Sequence, residues 1–171
     1  MRYPSKIRPI RVEGDKAYVP LTQGKEAIID KEDIDKVSQY TWFAVKNGCR
    51  YATTAARNAE NRVVNIAMHR LIMDNPVGFE IDHVDGDGLN NTKLNLRLAT
   101  RQQNAFNLKK PKNNTSGFKG VSWCQASNRW KATISVNRVR HHLGFYNTKE
   151  QAYQAYCQAS ERFHGEFGRI A

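Results

Sequence analysis

The sequence has no run of apolar residues long enough to cross a bilayer, so it predicts no membrane-spanning helix. Cysteine is scarce, because Cys49, Cys124 and Cys157 are the only three and lie far apart. They form no C-x-x-C pair, which argues against both a zinc knuckle and a disulfide framework. The pattern favours reduced thiols in a cytoplasmic protein.

Acidic residues are few relative to basic ones: 16 Asp and Glu face 27 Lys and Arg, for a net charge of +11. The excess is uneven, because residues 108–171 hold 11 basic and 3 acidic residues, whereas residues 1–107 hold 16 and 13. Such an excess favours a polyanionic partner. Since no basic amphipathic helix with large apolar anchors is evident, nucleic acid is a better candidate than an anionic membrane.

The order of predicted elements indicates an α+β protein built from four segments. Residues 1–66 form a strand-rich N-terminal region, in which short β-prone runs are broken by Gly, Asn and Asp. Residues 67–108 predict a strand, a polar loop, a second strand and a helix. Residues 109–116 predict a linker, and residues 117–171 predict a three-stranded antiparallel sheet followed by one helix.

Two capping-box patterns mark the starts of the main helices. Thr100 and Gln103 predict a helix from residue 101 to about 108, and Thr148 and Gln151 predict the final helix. Leucines alternate with polar residues over 94–98, which is the period of a strand.

The chemistry of the chain centres on Asp82 and His83, which precede a polar, glycine-containing loop. Phosphodiester hydrolysis needs a base that activates water and a cation that stabilises the leaving oxygen. An imidazole titrates near neutral pH, and a carboxylate is a hard ligand that suits Mg²⁺. An Asp-His pair alone is also common on loop surfaces. Neighbours on a regular strand point to opposite faces, so the pair shares a site only if the strand ends or bends there.

The longer pattern of Asp82-His83, Asn95 and Asn104 spans the predicted strand, loop, strand and helix, and resembles the HNH (ββα-metal) nuclease family. The resembling stretch runs from about residue 68 to residue 107. It carries the phrases Ile-Asp-His-Val-Asp-Gly-Asp, Asn-Leu-Arg-Leu-Ala-Thr and Gln-Asn-Ala-Phe-Asn. The likeness is closest to phage and intron-encoded homing endonucleases whose final HNH position is Asn.

The resemblance implies a role for each of these residues. It makes His83 the general base, Asp82 and Asn104 the metal ligands, and Asn95 the residue that orients His83 and ties the two strands together. A final amide favours Mg²⁺ over Zn²⁺, with Mn²⁺ or another divalent cation as alternatives.

Three further residues near this pattern have weaker assignments. Arg97 and Arg101 are candidate phosphate contacts, although solvated surface arginine is an equal alternative. His69 lies upstream, and a structural role is favoured over a catalytic one.

The C-terminal segment, from about residue 116 to residue 170, resembles the AP2 (ERF-type) DNA-binding domain. The resemblance rests on Phe-Lys-Gly-Val at 118–121, Trp-Lys-Ala at 130–132, Leu-Gly-Phe-Tyr at 143–146 and the closing helix. In that family the sheet reads the DNA major groove, which implies DNA-face candidates at Lys119, Ser122, Lys131, Thr133, Ser135, Arg140 and His142. Several positions that are arginine in plant members are here serine or histidine, so base specificity does not carry over.

The sequence therefore predicts a monomeric, phage-encoded endonuclease in the host cytoplasm, which binds double-stranded DNA through its C-terminal segment. One site per chain favours a nick, with 5′-phosphate and 3′-hydroxyl ends. The alternatives are a DNA-binding regulator with an inactive HNH fold and a protein that binds or cuts RNA.

Overall fold

The computed structural model describes residues 8–47 and 49–170, and the side chains of residues 46, 47, 49 and 50 lie outside that description, including that of Cys49. Strand-rich sheets and few helices confirm the predicted α+β class. The chain divides into two compact units, Met1–Leu98 and Ala99–Ala171. Over the described ranges, no helix has the length and apolar character needed to span a membrane.

The first unit begins with a three-stranded antiparallel sheet in the order β1-β2-β3. Its strands are β1 (Arg11–Glu13), β2 (Lys16–Pro20) and β3 (Glu26–Asp30). Every second residue of β2 and β3 is buried, as expected for a sheet with one face on the core. All three residues of β1 are exposed, which explains why no apolar alternation signalled this strand.

A second antiparallel sheet follows, with the strands β4 (Phe43–Asn47), β5 (Cys49–Arg57) and β6 (Val63–Ala67). Two short helices, α1 (Ile34–Val37) and α2 (Met68–Ile72), pack against each other. The two sheets and helices enclose a common core, whose buried members include Leu21, Ile29, Val37, Trp42, Met68 and Ile72.

The strands β7 (Glu80–His83) and β8 (Leu96–Ala99) form a two-stranded sheet, and residues 84–95 form the loop between them. Ile81 and Leu96 anchor this sheet in the core of the first unit. The predicted strand began too early, because Leu94 is 98% exposed. It lies in a turn in which the Asn95 amide donates to the Thr92 carbonyl, so its alternation with the later leucines is coincidental.

The second unit contains α3 (Arg101–Phe106), an antiparallel sheet and α4 (Lys149–His164). The sheet has β10 (Arg129–Val136) in the centre, between β9 (Val121–Cys124) and β11 (Val139–Tyr146). Both predicted capping boxes are present at the N-termini of α3 and α4. Buried apolar side chains of β10 pack against those of α4, namely Ala132, Ile134, Ala152, Tyr156 and Ala159.

Candidate active site

Asp82 and His83 are the last two residues of β7, and both side chains are buried, with 4% of each exposed. The strand ends at this pair, because the Gly86 amide donates to the His83 carbonyl and closes a turn. Gly86 has a φ of 69°, a conformation that glycine adopts without strain. Both residues still belong to the strand, and that their side chains share one catalytic site stays a prediction.

Asp82 forms an ion pair with Arg97 of β8. The Nε and Nη2 atoms of Arg97 lie 2.8 and 2.7 Å from Oδ2 of Asp82. The carboxylate is almost fully buried and the guanidinium is 16% exposed, so water screens the pair only weakly. Arg97, a predicted phosphate contact, therefore lies directly beside the predicted metal ligand.

Nε2 of His83 lies 3.3 Å from Oδ1 of Asn91, a fully buried loop residue. The Asn91 amide group donates to the Leu89 carbonyl, which leaves Oδ1 as the acceptor toward the ring. This bond favours the tautomer with the proton on Nε2 and the lone pair on Nδ1. Burial lowers the pKa of His83 against the opposing effects of Asn91 and the nearby carboxylates, so the ring is neutral near pH 7.

Asn91 is a partner of His83 that sequence reasoning missed. Its position is fixed by backbone bonds to β3, where the Asn91 amide donates to the Ile28 carbonyl and the Ile28 amide donates to the Leu89 carbonyl. Nothing in the Asn-Asn pair at positions 90 and 91 marks the second residue as the buried one. Only the pairing of the loop with a distant strand does so.

Asn95 organises the loop between β7 and β8. Its amide group donates to Oδ1 of Asp85 and to the Asn90 carbonyl, and its Oδ1 accepts the Asp85 amide. The Val84 amide donates to the Asn95 carbonyl, which joins the two strand ends. Burial acts to raise the pKa of Asp85, but the hydrogen bonds that it accepts outweigh this and lower it. The predicted role of Asn95 in orienting His83 stays a prediction.

His69 of α2 packs near His83. The two ring centroids are 5.1 Å apart at an interplanar angle of 89°, and Tyr51 lies 5.3 Å from His69 and 5.7 Å from His83. Nδ1 of His69 is buried and has no hydrogen-bond partner among the described residues. Burial, followed by the charges of His83 and Arg70, lowers the pKa of His69 to about 3. The ring is therefore neutral and is a poor proton acceptor at physiological pH.

The low pKa of His69 predicts a pH-dependent stability. Below pH 6.5 the unfolded chain protonates this imidazole, whereas the folded protein does so only near pH 3. The unfolding free energy therefore decreases as the pH is lowered from 6.5 towards 3. The His69→Phe variant lacks this titration. For each unit by which the pH is lowered, its unfolding free energy should therefore rise relative to that of the wild type by up to about 1.4 kcal/mol. Urea unfolding between pH 7 and 5 measures this slope. His141→Phe controls for the loss of an exposed imidazole, and equal slopes for wild type and His69→Phe would contradict the burial argument.

The Asp82 carboxylate is the kind of ligand that a hard divalent cation takes, but Arg97 already binds one of its oxygens, so its role as a metal ligand stays a prediction. In the part of the chain that the structure describes, no three His, Cys, Asp or Glu side chains form a group able to hold a metal ion. Mg²⁺ is commonly bound by one or two carboxylates together with water and phosphate oxygens, and does not require a protein cage. A buried aspartate meets that requirement, whereas a structural zinc site does not fit.

Asn104 lies on α3 and is half-buried. It belongs to the second unit, whereas Asp82 belongs to the first. Its role as a second metal ligand beside Asp82 stays a prediction. Arg101, on the same helix, is exposed.

The strand register of the second unit brings most predicted DNA-face residues together. Cross-strand pairs join Lys131 with Ser122, Thr133 with His142, and Ser135 with Arg140. A bulge shifts the pairing of β10 with β11 by one residue between residues 132 and 133. These residues are exposed or half-buried, and α4 packs on apolar residues that alternate with them along β10.

Lys119 lies before this sheet and its ammonium group is already engaged. It donates to the carbonyls of Phe106 and Leu108, at 2.6 and 2.7 Å. Burial, followed by the charge of Arg169, lowers the pKa of Lys119 to about 8. A DNA contact by Lys119 stays a prediction, and it competes with this bond to the end of α3.

A family model and a viral relative identify the same family. Residues 67–106 match the family model described as HNH endonuclease, a stretch that contains all four residues of the predicted pattern. The chain is 33% identical over 147 residues to "Uncharacterized HNH endonuclease L560" of Acanthamoeba polyphaga mimivirus, covering 85% of this chain and 74% of that protein. It is 39% identical over 95 residues to "Protein 3.8" of Escherichia phage T7, covering 56% and 78%. No solved structure matches the chain significantly.

Proposed function

The chain belongs to the HNH endonuclease family, and from this premise we propose that it is a metal-dependent endonuclease that hydrolyses phosphodiester bonds in double-stranded DNA. The observation that carries the proposal is the buried pair of Asp82 and His83 at the end of β7. Arg97 binds the first side chain and Asn91 the second, so both have fixed orientations. Side chains ordered in this way act on a substrate without first losing conformational freedom.

His83 acts as the general base in this proposal. Burial lowers the pKa of His83, which keeps the imidazole neutral at neutral pH, and a neutral imidazole can take a proton from the attacking water. With Asn91 holding Nε2, the proton moves to Nδ1. The loop network of Asn95 and Asp85 keeps the strand end, and with it His83, in place during this transfer.

Asp82 and Asn104 hold the cation in this proposal, with Mg²⁺ as the favoured ion. A divalent cation held there would supply positive charge to the scissile phosphate and the leaving oxygen. Arg97 and Arg101 contact phosphate oxygens. The ion pair holds the Arg97 guanidinium beside Asp82, the proposed metal ligand, which supports this role.

The C-terminal sheet supplies DNA affinity through the face that carries Lys131, Thr133 and Arg140. Its order of strands and helix resembles the AP2 type of DNA-binding domain, and the whole chain resembles homing endonucleases that carry such a domain. One catalytic site per monomer produces a nick with 5′-phosphate and 3′-hydroxyl ends.

A DNA-binding protein without nuclease activity is the second candidate. The observation that favours it is the Asp82–Arg97 pair, because two guanidinium nitrogens already bind one of the carboxylate oxygens that the cation needs. An arginine held there permanently would keep a cation out.

Incubation of supercoiled plasmid with the protein separates the two candidates. With Mg²⁺ we expect conversion to nicked circles, which DNA ligase reseals directly because the ends are 5′-phosphate and 3′-hydroxyl. Excess EDTA should abolish the conversion. A protein that shifts the plasmid on a gel but leaves it supercoiled in Mg²⁺ and in Mn²⁺ is the regulator.

A further inference from the structure

A groove of about 740 Å³ lies in the second unit between α3 and the hairpin of β10 and β11. Its floor is apolar and is formed by Phe106, Ile134 and Tyr156. Among the described residues, no Asp or Glu lines it. An electropositive groove with an apolar floor suits a partner that carries regularly spaced negative charge.

Three arginines line this groove: Arg101 of α3, Arg138 of the hairpin turn and Arg140 of β11. All three are exposed, and none forms a salt bridge with a described residue. The planar guanidinium donates paired hydrogen bonds that match phosphate oxygens, so these arginines are available for an anionic partner.

The turn of the hairpin is strained at the residue that adds charge to the groove. Val136 pairs with Val139, so Asn137 and Arg138 form a two-residue turn, with φ values of 51° and 64°. Such turns favour Asn followed by Gly, because the second position suits a residue without a side chain. An arginine there costs stability, and strain of this kind is a pointer to function.

The groove walls are held together inside one compact unit. The Gln102 side chain donates to Oδ1 of Asn137 at 2.7 Å, which joins α3 to the strained turn. Phe106 stacks on His164 at a centroid distance of 3.7 Å, and Lys119 binds the carbonyls at the end of α3. The groove is therefore formed before any partner binds.

We propose that this groove binds a segment of the DNA phosphate backbone, with Arg101, Arg138 and Arg140 contacting successive phosphates. The identity of the polyanion as DNA rests on the proposed function. Arg138 adds a contact outside the face of the sheet. Through this groove, α3, which bears Asn104, and the C-terminal sheet contact the same DNA strand.

Arg138→Gly in the full-length chain tests the proposal, because it removes the charge and relieves the strain at once. Binding is measured by fluorescence anisotropy in EDTA, which prevents cleavage, on two duplexes of unrelated sequence. We expect the melting temperature to rise while affinity falls by the same factor on both duplexes. The slope of log affinity against log salt should decrease by about one.

Arg162→Ala is the matched control, because Arg162 is an exposed arginine of α4 that does not line the groove. It should leave the salt slope at the wild-type value. Unchanged affinity and slope in Arg138→Gly would overturn the groove proposal, even if the wild-type protein nicks plasmid. Tighter binding of an RNA duplex through the same arginine would overturn the choice of DNA. Loss of affinity in Arg138→Gly supports the groove even if no cleavage is ever found, so the two proposals fail separately.

Discussion

His83→Ala is expected to lower the rate of plasmid nicking by roughly 10²–10⁴, the usual cost of removing a general base. DNA affinity should stay close to wild type, because the buried ring carries little of the positive charge that attracts DNA. Single-turnover nicking at saturating protein isolates the chemical step from binding, and anisotropy in EDTA gives the affinity.

The control for His83→Ala is His141→Ala, which removes an exposed imidazole from the second unit and should cut at the wild-type rate. Added imidazole should restore part of the rate to His83→Ala, because the deleted ring leaves space for a free base. Asn91→Leu should also slow cutting with affinity unchanged, since it removes the bond that fixes Nε2. Near-normal nicking by folded His83→Ala would rule out His83 as the base.

The local elements were predictable from sequence because their signals are local. Thr100 with Gln103 and Thr148 with Gln151 form the reciprocal bonds that a capping box requires, and these fix the starts of α3 and α4. The same logic failed at Leu94, where a turn overrides the alternation of leucines.

The partners of the site residues were not predictable, because they depend on pairings between distant segments. Asn91 reaches His83 because the loop pairs with Ile28 of β3, more than sixty positions earlier in the chain. Arg97 faces Asp82 because β7 and β8 form one sheet. The sequence shows that Arg97 needs an anionic partner, but it does not show whether that partner is a phosphate or a buried carboxylate.

The packing of α3 shows the same limit on a larger scale. The sequence predicted a linker at residues 109–116 between two separate domains. That division stays a prediction. Phe106 stacks on His164, and Lys119 binds the end of the helix, so the surroundings of α3 depend on residues that follow it at a distance in the chain. Gly120 shows why sequence alone is insufficient, because a Cβ there would lie 2.1 Å from a ring carbon of Tyr156.

Removing the cation or its main ligand should have the second large effect. Excess EDTA is expected to abolish nicking by the wild-type protein, and Mg²⁺ in excess of the chelator should restore it. A bound cation stabilises the transition state of phosphoryl chemistry by several kcal/mol, and each 1.36 kcal/mol changes the rate by a factor of ten. Asp82→Asn should therefore lower the rate by about 10³ or more.

Asp82→Asn is preferred to Asp82→Ala because of Arg97. Removing one partner of a buried ion pair typically costs roughly 3–5 kcal/mol, so an alanine variant could lose activity by unfolding. The asparagine keeps an oxygen that accepts a hydrogen bond from the guanidinium. Thermal melting of both variants shows whether the fold survives.

The decisive readout for the cation is binding measured independently of cleavage. Mn²⁺ titrated into the wild-type protein with an uncleavable duplex should lose its free-ion EPR signal, because protein and phosphate oxygens together complete its coordination. Asp82→Asn should leave the signal largely free, and Asn104→Ala should weaken binding, since a neutral amide is the poorer ligand of the two. Asp74→Asn is the control, because Asp74 is an exposed carboxylate of the first unit that pairs with Lys36 and takes no part in the loop network. Undiminished nicking in excess EDTA, or equal Mn²⁺ binding by wild type and Asp82→Asn, would remove Asp82 from the metal site.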